Sequence, residues 1–180
     1  MQDETAPNPG RPKPDEYNSY YEQYVNLVPD GATTDLLANQ LNTTLTLLSS
    51  LSPSQASYRP KPEDWNIVEV MGHLADSERV FAYRALRFAR NDTTPLASFD
   101  QDLFVATANF ARRPLLDVLD EFAAVRRATL ALFRGLDEAA WLRRGSANNS
   151  EVSVRALAYI IAGHELHHVA DFRQRYQLAG

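Results

Sequence analysis

Apolar residues recur at every third or fourth position through four long segments of this chain, and this periodicity constrains the fold more than any other feature. It predicts helices over 34–51, 66–89, 114–134 and 153–177, with a short helical piece near 100–110. Strand signals are weak, since no stretch alternates apolar and polar residues over four or more positions between turn residues. The sequence therefore predicts an all-α protein, an antiparallel four-helix bundle with short extra helical pieces.

The length of 180 residues indicates a single domain. Residues 1–16 contain four prolines and almost no apolar residues, so they are expected to form a disordered Pro-rich tail. The domain is expected to span 17–180. Its first part, 17–24, is rich in tyrosine and is expected to lie over the core.

Charge and composition exclude several classes of function. The formal net charge of -5 and the pI of about 5.3 argue against nucleic acid as a partner. No apolar run approaches the roughly 18–20 residues of a membrane span, and the acidic start does not resemble a signal peptide. We therefore expect a cytoplasmic protein that acts on a small molecule. The chain has no cysteine, which excludes disulfides, thiolate ligands and a protein thiol nucleophile.

All four histidines lie in two short segments that are predicted to be helical. His164 and His168 are four residues apart, so they share one face of a helix and can bind one metal ion. His73, from a second helix, could supply a third ligand. His167 is expected to point elsewhere. Three protein nitrogens leave a position open for water or substrate, as in a catalytic metal site.

Two acidic residues could assist this site. Glu78 lies inside the apolar stripe of the second helix, where an ionised carboxylate is costly unless it is paired. Either a structural ion pair with an arginine or a catalytic role in proton transfer would explain it. Asp171 lies angularly between His164 and His168, and could orient His168 through its other ring nitrogen.

The arginines are less informative. Arg84 shares a helical stripe with His73, so it is a candidate substrate-binding residue, although a solvated charge would fit as well. Arg126 and Arg127 on the third long helix are expected to be solvated.

The segment His164-Glu165-Leu166-His167-His168 also matches the zinc-protease pattern H-E-x-x-H. Such proteases usually take their third ligand from further along the chain. Neither histidine nor glutamate follows His168, and the accompanying sheet is not evident. The protease interpretation is therefore disfavoured.

Two motifs together resemble a known family. A tryptophan and a helix cap followed by Gly-His-Leu-Ala-Asp-Ser-Glu, over 65–78, and a C-terminal helix with His-x-x-x-His are similar to the DinB-like superfamily. The resemblance covers roughly 33–178. The superfamily includes DNA-damage-inducible bacterial proteins, bacillithiol transferase-like proteins and mycothiol-dependent maleylpyruvate isomerase-like proteins. Many members have Gly-Gln after the last histidine, where this chain has Ala170-Asp171.

The resemblance implies a four-helix bundle, often a homodimer, with divalent zinc or nickel on three histidines. These correspond here to His73, His164 and His168. It also implies either transfer of a low-molecular-weight thiol to an electrophile or a hydrolase activity.

Three hypotheses follow. The first is a metal-dependent S-transferase that delivers a bacillithiol-like cosubstrate as a metal-bound thiolate to an electrophilic substrate. The second is a hydrolase that uses metal-activated water at the same site. The third is a non-catalytic stress-response or small-molecule-binding bundle.

Overall fold

The structure is a computed structural model that describes residues 9–176 and residue 178. Four long helices form a bundle, as predicted: α2 (Thr33–Leu48), α4 (Ile67–Ala89), α6 (Leu115–Arg134) and α8 (Val154–Gln174). Shorter helices are α1 (Glu22–Val25), α3 (Pro53–Ala56), α5 (Gln101–Ala108) and α7 (Glu138–Leu142), and 3-10 turns span Pro14–Glu16, Ser19–Tyr21 and Phe110–Arg112. None of the helices described is both long enough and apolar enough to cross a membrane.

The long helices are arranged as a ring in which α6 and α8 each pack against both α2 and α4. The fully buried core residues Leu37, Met71, Phe122 and Phe172 come one from each of these helices. The helix that carries His73 therefore lies beside the helix that carries the other histidines.

The helix starts follow the sequence signals closely. The Asn66 side chain accepts a hydrogen bond from the Glu69 amide, and the Glu69 carboxylate accepts one from the Asn66 amide, at 2.9 and 2.8 Å. This capping box fixes the start of α4. The Ser153 hydroxyl caps α8 by accepting from the Ala156 amide. Pro114, predicted to be the first residue of the third long helix, instead lies just before Leu115, where α6 begins.

A β-hairpin, which the weak strand signals did not predict, connects α7 to α8. Strands β1 (Arg144–Ala147) and β2 (Ser150–Ser153) pair antiparallel. Each strand has only four residues, mostly small or polar, so no alternation marks it. The usable signal was the pair Asn148-Asn149, whose φ angles of 52° and 56° are those of a tight hairpin turn.

The described part of the predicted tail, residues 9–16, lies against the bundle. Glu16 is buried, forms an ion pair with Arg155, and accepts a hydrogen bond from the Ser153 hydroxyl at 2.7 Å. Burial by itself raises the pKa of Glu16, but the hydrogen bonds, chiefly from Arg155 and the Lys13 amide, lower it to about 2. Glu16 thus anchors this segment to α8. The prolines around Glu16 had indicated a disordered tail, and nothing in the sequence indicated this buried ion pair. Residues 1–8 of the predicted tail lie outside the described residues.

The tyrosine-rich segment packs on α8 at a glycine. A Cβ atom added at Gly163 would lie 2.0 Å from the carbonyl oxygen of Tyr24, which no side chain can accommodate. Gly163 therefore permits the close approach of the two backbones, next to His164.

We expect Gly163→Ala to displace the tyrosine-rich segment. Relative to glycine, alanine stabilises a helix interior by about 1 kcal/mol, but the clash of its Cβ with the Tyr24 backbone outweighs this gain. The expected result is a lower melting temperature and faster cleavage by chymotrypsin in the region 17–24. In the control Gly135→Ala, the new Cβ would meet nothing nearer than 3.5 Å. Equal protease resistance of the two variants would contradict this account.

A buried ion network connects the long helices. Arg126 of α6 is fully buried, which corrects the expectation that it is solvated, whereas Arg127 is exposed as expected. The guanidinium of Arg126 donates to Glu78 of α4 at 2.8 Å and lies 2.8 Å from a carboxylate oxygen of Glu165 of α8. Glu165 also accepts from the Thr44 hydroxyl of α2 at 2.6 Å. The helical periodicity of α6 alone does not show whether an arginine on it is buried or exposed. That depends on whether carboxylates of other helices lie close enough to pair with it.

We expect Arg126→Met to lower the free energy of unfolding by about 3–5 kcal/mol, because it leaves two buried carboxylates without a cation. The neighbouring variant Arg127→Met should change it by about 0.5 kcal/mol or less. Urea unfolding followed by circular dichroism measures both values. Similar stabilities of the two variants would show that the network does not hold the helices together.

Candidate metal centre

His73, His164 and His168 converge on one point between α4 and α8. The Nε2 atom of His164 lies 3.0 Å from Nε2 of His73 and 3.1 Å from Nε2 of His168. Ligand atoms of all three residues lie within 4.8 Å of one another. His73 and His164 are buried and His168 is half-buried. The structure therefore brings together the three histidines that were predicted to be metal ligands.

The spacing of these nitrogens suits a tetrahedral metal ion. A zinc–nitrogen bond of about 2.0–2.1 Å places neighbouring ligand nitrogens about 3.3 Å apart. The observed 3.0 and 3.1 Å are within a few tenths of an ångström of that value. Imidazole nitrogens are good ligands for zinc and nickel. Three such donors fit a divalent metal and leave coordination positions open.

Burial keeps the three imidazoles neutral. It lowers the pKa of His73 to about 4. Burial, and after it the neighbouring histidines, hold the pKa values of His164 and His168 well below the ordinary 6.5. The metal-binding form is thus present at neutral pH without loss of protons.

Aromatic rings surround the histidines. The Trp65 ring lies 4.9 Å from the His73 ring, and the Tyr24 ring lies 5.2 Å from the His164 ring, between ring centroids. On its other side, Nδ1 of His73 lies 3.4 Å from the Ser77 hydroxyl, one helical turn away. His167 packs against Tyr24 and is outside the three-histidine group, as its helical position predicted.

The two acidic candidates have other partners in the structure. Glu78 lies in the ion pair with Arg126, which is the structural alternative that the sequence left open. Asp171 lies 3.4 Å from Arg175, one turn along α8. The hydrogen bonds found among the described residues do not join Asp171 to His168. Orientation of His168 by Asp171 therefore stays a prediction.

Two cavities reach the histidines from different sides. The tyrosine cavity has a volume of about 130 Å³ and reaches His164; it is lined by Tyr20, Tyr21, Tyr24, Ser77, Phe81, Arg84, Ser98, Phe99, Gln101, Asn148 and His164. The acidic cavity has a volume of about 370 Å³ and reaches His168; it is lined by Glu63, Asp64, Trp65, Val70, Asp102, His168, Asp171, Arg175 and Tyr176. Arg84, the candidate substrate-binding residue, is thus placed at the first cavity.

The fold and the three-histidine cluster together define a helical bundle with a candidate metal centre. The profile of the DinB superfamily matches residues 36–172, and the chain belongs to this superfamily. This confirms the resemblance drawn from the two histidine motifs.

Among solved structures, the chain is similar to YfiT from Bacillus subtilis, which is described as a probable metal-dependent hydrolase with an unusual four-helix bundle topology. The match has a TM-score of 0.71 and 15% sequence identity, and it covers 92% of this chain and 91% of the other. At this identity the similarity concerns the fold. A comparison with curated protein sequences finds no match.

We expect metal binding at about pH 6 to release few protons. Three imidazoles with the ordinary pKa of 6.5 would together release about two protons, but the lowered pKa values leave almost none to release. Calorimetric titration with zinc in buffers of different ionisation enthalpy measures this number. A release near two protons would contradict the neutral state of the buried histidines.

The same pKa shifts predict how the stability of the metal-free protein depends on pH. Below about 6.5 the unfolded chain takes up protons that the folded histidines do not, so the free energy of unfolding falls as the pH is lowered.

Proposed function

We propose that this protein is a metal-dependent hydrolase with a divalent metal, zinc or nickel, on His73, His164 and His168. The observation that carries the proposal is the convergence of three neutral imidazole nitrogens, from two buried residues and one half-buried residue, beside a cavity. The similar fold of YfiT, described as a probable metal-dependent hydrolase, supports it. A metal bound there would supply a Lewis acid and a water of lowered pKa.

The chain itself would prepare the site in two ways. Trp65 and Tyr24 pack beside the histidines and limit the access of bulk water. Burial raises the pKa of Tyr24, so its hydroxyl stays protonated and can donate a hydrogen bond to a substrate oxygen in the tyrosine cavity.

Thiol transfer is the second candidate, and the presence of two cavities favours it. A transferase brings two substrates to one centre. The tyrosine cavity reaches His164 while the acidic cavity reaches His168, so a thiol and an electrophile could approach from different sides. Because the chain has no cysteine, the thiol would have to be a cosubstrate.

Metal content is the first test. We expect untagged wild type to bind close to one equivalent of zinc or nickel, and His164→Ala to lose it, because two imidazoles remain. The matched control is His167→Ala, three residues away and outside the cluster, which should retain the metal. If wild type stays metal-free after incubation with either ion, both enzymatic functions fail and a non-catalytic binding bundle is favoured.

Thiol dependence separates the two reactions. With metal-loaded protein, we expect hydrolysis of p-nitrophenyl acetate without added thiol, and its loss in His164→Ala. The transferase alternative predicts instead an adduct of monochlorobimane that forms only when bacillithiol or cysteine is added. Hydrolysis at the same rate in wild type and His164→Ala would refute catalysis at this centre.

A further inference from the structure

Arg84 is a buried cation that has no ion pair with the described carboxylates. Its side chain comes from α4, and only 4% of the residue is exposed. Nη2 donates to the Ala97 carbonyl at 2.8 Å, and the Tyr21 side chain is its other polar neighbour. The guanidinium lies 5.8 Å from the ring centroids of both Phe81 and Phe99. An arginine has five N–H donors, so these neighbours leave hydrogen-bonding capacity unused.

The other buried arginine of the core, Arg126, has different partners. Arg126 is bracketed by the carboxylates of Glu78 and Glu165, and such pairing offsets the cost of removing a cation from water. No described carboxylate does the same for Arg84, and burial lowers its pKa. Its position is therefore costly for the protein alone and is better explained by an external anion.

The two cavities differ in charge. Among the residues described as lining the tyrosine cavity, Arg84 alone carries a full charge at neutral pH. The acidic cavity has four carboxylates, those of Glu63, Asp64, Asp102 and Asp171, against one arginine, Arg175. In a chain with a net charge of -5, the tyrosine cavity is thus a locally positive route to the histidines.

We infer that the substrate carries a carboxylate, which binds Arg84 in the tyrosine cavity. The guanidinium fork matches the geometry of a carboxylate, and one cation balances one negative charge. The body of the substrate packs against Phe81 and Phe99, and its reacting end lies toward His164. A volume of about 130 Å³ is close to that of engineered cavities of about 150 Å³ that hold benzene, so the body is the size of one small ring. The reaction of this substrate rests on the function proposed above, whereas its binding to Arg84 does not.

The experiment is a calorimetric titration with phenylacetate, its neutral analogue phenylacetamide, and inorganic phosphate. The proteins are wild type, Arg84→Gln and Arg143→Gln, each with and without zinc. Arg143 is a matched control, because its guanidinium also donates to a backbone carbonyl, that of Ala89, but does not line the tyrosine cavity. Glutamine at position 84 keeps an amide donor for the Ala97 carbonyl.

We expect phenylacetate to bind wild type and Arg143→Gln, and to bind Arg84→Gln roughly ten- to a hundredfold more weakly, as for loss of a charge-assisted hydrogen bond. Phenylacetamide should bind weakly and equally to all three proteins. The melting temperature of Arg84→Gln without ligand should equal or exceed that of wild type, since the variant removes an unpaired buried charge.

Three results would overturn the inference: equal phenylacetate affinity of wild type and Arg84→Gln, absence of phenylacetate binding to wild type, or tighter Arg84-dependent binding of phosphate than of phenylacetate. The zinc-free arm separates this inference from the proposed function. Arg84-dependent phenylacetate binding in a protein that takes up neither zinc nor nickel would refute the metal-dependent reaction and support the carboxylate site. Zinc-dependent hydrolysis with no effect of Arg84→Gln on phenylacetate binding would support the metal-dependent reaction and refute the carboxylate site.

Discussion

The rest of this bundle depends on one interaction, the pairing of the buried Arg126 guanidinium with two carboxylates. The guanidinium lies between the carboxylates of Glu78 and Glu165, and its Nη1 also donates to the carbonyl of Leu37 at 3.0 Å. Thr44 completes the network through Glu165, so all four long helices contribute a group. A shift of α4, α6 or α8 would leave a charge buried without its ionic partner, and a shift of α2 would remove a hydrogen bond from a buried charge. Either change is more costly than a repacked apolar contact.

The same network determines where the metal-binding nitrogens lie. Glu165 follows His164 directly in α8, and Glu78 lies about one and a half turns beyond His73 in α4. Arg126 therefore holds together the two helices whose histidines must meet, although it touches none of the three ligands among the hydrogen bonds described. Burial, rather than this network, keeps the imidazoles neutral.

Electrostatics divides the surroundings of the centre into two unlike sides. Carboxylates dominate around His168, whereas aromatic rings, hydroxyls and the cation of Arg84 face the cavity at His164. Membership of the DinB superfamily defines the scaffold, but this distribution of charge belongs to the chain's own side chains. Selectivity for substrate would therefore come from the tyrosine-rich segment and α4, and Gly163 is what lets that segment approach so closely.

Local interactions could be predicted from the sequence alone. The 3.6-residue period located the long helices, the Asn66–Glu69 box located the start of α4, and the four-residue spacing placed His164 and His168 on one face. These depend on residues within a turn of each other. Only the tertiary structure decided that Arg126 is buried between Glu78 and Glu165, because the choice of partner for a charge depends on which helices pack together. The hairpin escaped prediction for a related reason, since its two four-residue strands are held by their pairing and by α4 and α8.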